Sequence, residues 1–161
     1  MAAQDISQHH AALTHRLEVL AHEAINATDP LFQHRIGCDI REYRVLKMVQ
    51  ENPGIEFNEI MRITGLDRSL VSRLLRSLMD KEWIYRVNNP KDARRFGLHT
   101  NALGHQKYTE AKALSEAAEA ILLKTLNPSE QDELNQTLGK ILSWVRTDEY
   151  RALVGELEKS S

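Results

Sequence analysis

A single cysteine, Cys38, stands in this chain of 161 residues, so an internal disulfide is excluded and thiolates cannot build a structural zinc site. Only the more distant Arg35 and Arg41 place positive charge near that thiol in sequence, which is too little to mark a reactive thiolate, and a partly buried inert thiol is expected. No apolar run approaches the roughly 20 residues of a membrane span, and the amino-terminal residues lack a secretory pattern. The expectation is a cytoplasmic protein with no membrane partner. No glycine-rich phosphate loop, nucleophile elbow or loop-borne pair of carboxylates is present, so neither an enzyme nor a cofactor is expected. The seven histidines offer no i, i+4 pair beside a carboxylate or thiolate. His9, His10 and His15 are close in sequence, while His22, His34, His99 and His105 are scattered, and no metal site is expected.

A basic excess is also missing, since the net charge is −2. Its distribution is uneven, however. Residues 66–97 hold eight Lys or Arg against four acids, a net of +4, and the remainder of the chain carries −6. One basic segment on an acidic body is the footprint of a nucleic-acid-binding module whose other surfaces have other work.

The segment has internal order. From Arg68 to Leu78, Leu70, Val71, Leu74, Leu75 and Leu78 recur at helical spacing and predict one buried stripe. Arg68, Ser69, Ser72, Arg73 and Arg76 occupy the other face, the arginines and small hydroxyls that meet base edges when a helix enters a major groove. Upstream, Glu56 to Thr64 predicts a shorter helix with Phe57, Ile60, Met61 and Ile63 as its apolar positions. Thr64-Gly65-Leu66 is the turn between the two, which makes a helix-turn-helix. Downstream, Trp83 to Val87 reads as a strand, Asn88 to Asp92 as a turn, and Phe96 to Thr100 as the returning strand. Lys91, Arg94 and Arg95 then lie at or beside a hairpin tip able to reach a minor groove or a phosphate row. Hairpin and helices together predict a winged helix.

Longer helices flank this module. Residues from about Ile6 to Thr28 predict a helix with Leu13, Leu17, Leu20 and Ala24 as its stripe, ended by Asp29-Pro30. Asp39 with Glu42 has the make-up of a reciprocal N-cap for the next helix, which Pro53-Gly54 stops. Asn101 to Leu126 predicts a long helix. Asn127-Pro128-Ser129-Glu130 starts a final one carrying Leu134, Leu138, Ile141, Leu142, Val145 and later Leu153, Val154 and Leu157. The terminal helices have more apolar stripe than a winged helix can cover, and a second copy of the chain is the economical partner. The expected fold is mainly α: a DNA-binding domain over residues 39–100, an N-terminal dimerisation helix and connector over 1–38, and C-terminal linker and dimerisation helices over 101–161. A two-fold dimer holds its recognition helices about 34 Å apart, one turn of duplex.

From about Arg41 to Leu142 the chain resembles the MarR (multiple antibiotic resistance regulator) family. Glu42-Tyr43-Arg44-Val45-Leu46, Asn52-Pro53-Gly54, the run Gly65 to Leu74, the wing Pro90-Lys91-Asp92-Ala93-Arg94-Arg95 and Leu126 to Gln131 carry the likeness in order. It implies a homodimeric, winged-helix transcriptional regulator on a pseudo-palindromic operator, usually a repressor. The family's Asp-x-Arg wing element falls on Asp92 and Arg94. Three positions depart from the pattern: Glu82 where glycine is usual, Thr100-Asn101 where Leu-Thr is common, and Glu56 where Ser or Thr usually caps.

On the first helix, Arg16 flanks the apolar stripe, where an arginine needs an anion. An acidic residue of the dimer interface and a small-molecule carboxylate both meet that need. An Arg and a His six residues apart resemble the subgroup of the family that responds to phenolic or benzoic acids, which makes Arg16 and His22 the candidate ligand residues. Their side chains point about 120° apart, so they flank a pocket rather than share a spot. The expectation is a ligand-responsive regulator released by a small aromatic carboxylate; the alternative is an architectural DNA-binding protein that answers to no ligand.

Overall fold

The computed structural model describes residues 12–89 and 92–159, with backbone alone for Asn89, residues 92–94 and Glu158. In chain order the described residues form α1 (Leu13–Arg35), α2 (Ile40–Glu51), α3 (Phe57–Thr64), α4 (Arg68–Asp80), β1 (Ile84–Asn89), β2 (Asp92–Thr100), α5 (Ala102–Leu122), α6 (Pro128–Val145) and α7 (Asp148–Lys159). The chain divides into two compact units, Met1–Ala118 and Glu119–Ser161, with the division falling inside α5.

In the first unit the apolar stripes close on one another. Val45, Leu46 and Val49 of α2, Ile60 of α3, Val71, Leu74, Leu75 and Leu78 of α4, and Trp83, Ile84 and Leu98 beside and within the hairpin are all buried. Leu70, expected in the α4 stripe, is half-buried at its edge. The two strands pair antiparallel, with Ile84 opposite Thr100 and Asn88 opposite Phe96. Ile55 adds a bridge to Leu98, which ties the loop before α3 to the wing.

Local signals set most boundaries. Asp39 accepts from the Glu42 N–H at 2.7 Å while the Glu42 carboxylate accepts from the Asp39 N–H at 2.9 Å, so the α2 N-cap is reciprocal as expected. Gly65 ends α3 at φ 68°, the left-handed conformation that the turn of the motif requires. Glu82 holds a left-handed backbone too, at φ 59°, without being glycine. The Asn101 side chain donates to its carbonyl and accepts from the Gly104 N–H at 2.8 Å, which makes Asn101 the cap of α5. A Cβ on Gly104 would stand 2.0 Å from the Trp83 carbonyl oxygen, so α5 sits directly on the backbone before β1.

Three expected boundaries are corrected. Pro30 does not end the first helix; α1 runs through it to Arg35. Continuing places Phe32 and Ile36 in the core, at 0% and 6% exposure. Each burial is worth about 1.5–3 kcal/mol, and together they offset the roughly 3 kcal/mol of an interior proline. The adjacent Asp29 carboxylate accepts from the Ile40 N–H at 2.9 Å, a second anchor across the turn. At the other end α5 stops at Leu122 rather than Leu126. The Gln131 amide donates to the freed carbonyls of Leu123 and Leu126 at 3.3 and 3.0 Å. The expected final helix is two, because Thr147 turns its hydroxyl onto the Trp144 carbonyl at 2.7 Å and accepts the Tyr150 N–H at 3.1 Å.

In the second unit the Asn127 capping box forms as the sequence predicts, with Pro128 at the first helical position. No residue of α6 is buried. No described helix is long and apolar enough to cross a membrane.

Candidate nucleic-acid interface

The candidate recognition face is built on α4. Asp67 caps it by accepting the Leu70 N–H at 2.9 Å, and the buried leucines fix its rotation. Arg68, Ser69, Arg73 and Arg76 are thereby exposed, with Ser72 half-buried at the margin. Two features hold this helix in place. At its start, the Arg68 guanidinium lies 5.3 Å from the centre of the Phe57 ring on α3. Beyond its end, Lys81 reaches Glu42 of α2 at 2.6 and 2.7 Å, and the Ser77 hydroxyl donates to the same carboxylate. Glu42 is the one buried charged residue among those described. Burial pushes its carboxyl up, but the bonds from Lys81, Ser77 and the Asp39 N–H outweigh burial and hold it below its ordinary value of 4.5.

The wing is longer than the sequence suggests. Asn89 pairs with Asp92 while Asn88 pairs with Phe96, so residues 93–95 of β2 have no counterparts on β1. This bulge carries the arginines. Bulges re-aim side chains and interrupt pairing. Lys91 and the side chains of Asp92 and Arg94, and with them the expected Asp92–Arg94 contact, lie outside the described residues. Arg95 is described beside the hairpin tip, with its guanidinium bound to Glu56, ahead of α3, at 2.7 and 3.2 Å. Arg86, which the sequence reading counted but did not assign, stands over the Phe96 ring at 4.5 Å on the hairpin.

Arg41 and Arg44 lie outside the basic segment 66–97, and the sequence assigned neither a binding role. Both are exposed on α2 and line a cavity of about 510 Å³ beside Thr64 and Leu66 of the motif turn. Their spacing, i and i+3 on a capped helix, was the available signal.

The candidate ligand residues are not brought together. Arg16 and His22 are exposed on α1, and the His22 Nε2 accepts from the Asn26 amide at 2.8 Å. Neither lines the cavity of α2 nor a second one of about 400 Å³ between Arg35, Ile36, Glu110 and Leu114. Cys38 is fully buried. Burial, aided by the nearby Glu42 charge, pushes its thiol up to about 12, so the thiolate is not populated near neutrality. Among the described residues no three His, Cys, Asp or Glu converge as a metal site would require.

The sequence profile of the MarR family matches residues 36–95, the span from the end of α1 to the wing. Over these residues the chain is similar to the MarR family, and they fold as a winged helix-turn-helix. An HTH-type transcriptional repressor from Mycobacterium tuberculosis (strain ATCC 25618 / H37Rv) is 27% identical over 123 residues, covering 76% of this chain and 85% of that protein. A MarR-family regulator from Listeria monocytogenes, solved with a 26mer DNA, superposes with a TM-score of 0.77 at 21% identity, covering 84% of this chain and 89% of its own. MepR from S. aureus, solved as a DNA complex, gives 0.73 at 21% identity over 83% of this chain and 98% of its own. The MarR-type fold therefore extends over both flanks of the motif.

Proposed function

We propose that this protein is a homodimeric transcriptional regulator, acting as a repressor, that binds a pseudo-palindromic operator and is released by a small aromatic carboxylate. The observation that carries the DNA-binding reading is the α4 face: Arg68, Ser69, Arg73 and Arg76 stand exposed on a helix locked from behind by four buried leucine and valine side chains. Rigid support of that kind suits a helix whose position must match base edges to within an ångström or so. Arg73, Ser69 and Ser72 read bases, Arg76 and Arg68 serve the flanking phosphates, and Lys91, Arg94 and Arg95 of the wing reach the minor groove or its phosphates, with Asp92 orienting Arg94. The mycobacterial repressor and the two DNA complexes among the structural neighbours support this assignment.

The experiment is a binding titration of the full chain against duplex flanking its own gene and against random duplex, over a salt series. A regulator prefers its operator by several kcal/mol, whereas an architectural protein does not. Arg73→Ala should cost about 1–3 kcal/mol and relax one base position. Arg94→Ala should weaken binding strongly, and Lys91→Ala should lower the salt slope by about one contact. Wild-type affinity and base preference in Arg73→Ala would show that α4 does not enter the groove.

For the effector, the supporting observation is that Arg16 has no acidic partner among the described residues and stands on the apolar side of α1 beside Leu13, Leu17 and Leu20. A carboxylate ligand pairs with Arg16, and His22 meets its ring or hydroxyl. Ligand and DNA then oppose each other by the same factor, about 1–3 kcal/mol of coupling. Calorimetry of the DNA-free protein with benzoate- and cinnamate-type acids tests it. Arg16→Ala should keep DNA binding and lose release by the acid; normal binding and release in that variant would return Arg16 to an interface ion pair.

A further inference from the structure

The residues just ahead of and at the start of α3 touch both elements assigned to DNA. Glu56 occupies the capping position of α3 yet makes no cap bond. Its carboxylate instead accepts from Nε and a terminal nitrogen of Arg95 in the wing bulge, at 3.2 and 2.7 Å. The next residue, Phe57, lies under the Arg68 guanidinium of the recognition helix. Glu56–Phe57 is thus the junction where the first arginine of α4 and the last arginine of the wing motif are both held. The Glu56–Arg95 pair is open to the surroundings, the side chains being 35% and 58% exposed, so a duplex approaching the wing reaches it.

Two carboxylate oxygens set against an arginine fork reproduce what two non-bridging phosphate oxygens present. On the reading of this chain as a DNA-binding protein, we propose that Glu56 is an internal stand-in for a DNA phosphate. It occupies Arg95 in the free protein and yields that arginine to the DNA backbone when duplex binds. Two consequences follow from the charge arrangement. Binding begins from a paired arginine, so the pair must be given up before the phosphate contact forms. After the exchange a carboxylate is left beside the phosphate row, where like charges repel. Both effects lower affinity, and since phosphate contacts carry no base information they lower it for every duplex alike. Glu56 thereby limits how tightly the protein holds DNA of any sequence.

The test is a two-by-two set of full-length proteins, wild type, Glu56→Gln, Arg95→Ala and the double variant, titrated by fluorescence anisotropy against the gene-flanking duplex and a random duplex. Glu56→Gln keeps the shape and removes the charge, and its melting curve reports any loss of fold. The expected result is about two- to fivefold tighter binding by Glu56→Gln on both duplexes, the size of an exposed ion pair. That gain should shrink in the Arg95→Ala background to the part owed to repulsion between the carboxylate and the phosphate row. Weaker binding by Glu56→Gln would overturn the proposal in favour of a pair that positions the wing. An equal gain with and without Arg95 would overturn it in favour of net charge alone, and an unchanged affinity would remove Glu56 from DNA binding. If none of the four proteins binds either duplex, the DNA-binding reading itself fails; if wild type binds and the variants follow one of the overturning patterns, only the role of Glu56 fails.

Discussion

Helices α4 and α6 carry the same kind of apolar stripe, and the fold treats them differently. On α4, Val71, Leu74, Leu75 and Leu78 are buried, whereas on α6, Leu134, Leu138, Ile141 and Leu142 remain between 36% and 52% exposed. On α1 the contrast falls within one helix: Phe32 near its end is fully buried, while Leu13, Leu17 and Leu20 near its start are 37–54% exposed. Periodicity reports that a face needs cover. It does not say whether that cover comes from the same chain. In the winged helix the cover is local, because α2, α3, α4 and the hairpin fold over one another within residues 40–100. Among the described residues the stripes of α1 and α6 stay exposed, and a second copy is the partner we propose for them.

Placing a charge on the exposed stripe should have the largest effect. Leu142→Asp should leave the winged helix folded yet separate the proposed dimer, by placing a charge in an apolar interface. Operator affinity should fall by about 10²–10⁴-fold, the advantage lost when two linked half-site contacts become one. Light scattering reports the assembly; a variant that stays dimeric places the interface elsewhere.

The next effect lies in the closed unit. Glu42→Ala removes the partner of Lys81 and Ser77 and unties α2 from the end of α4, and should destabilise the fold by about 1–3 kcal/mol in chemical denaturation near neutrality. The sign with pH follows from the Glu42 carboxyl being held below its ordinary 4.5. Its contribution is complete above that value and is lost as pH falls through the lower folded value. Wild-type stability should therefore drop in acid more steeply than that of the variant, and a constant gap between the two curves would show that the Glu42 charge contributes nothing.

The smallest effect concerns a single backbone conformation in the closed unit. Glu82 keeps a left-handed backbone, at φ 59°, that costs a non-glycine residue about 1 kcal/mol or slightly more. Glu82→Gly should stabilise the first unit by about that amount in thermal melts. A loss of stability would mean that the Glu82 side chain contributes more than its backbone strain removes.

These contrasts also mark what could be read from residue order. The α2 and α6 N-caps, the Gly65 turn, the α4 stripe and the wing strands are all encoded within a few residues of where they act, and sequence reasoning finds them. The break at Thr147 was equally local but hidden by a stripe that resumes at Leu153. The wing was underestimated because a bulge is set by strand pairing, which neighbouring residues do not reveal.

Residue order alone encodes most of the helix starts, the basic face of α4 and the charge of the wing, since caps, turns and periodic faces depend on contacts three or four residues away. Other features depend on residues far apart in the chain. The helix continues through Pro30 because Phe32 and Ile36 have a core to enter. Glu42 becomes a buried anchor because Lys81 folds back onto it, and Arg95 is engaged because Glu56, far away in sequence, is there to receive it. Each of these is a choice between a local preference worth a few kcal/mol or less and a partner that exists only once the chain has closed.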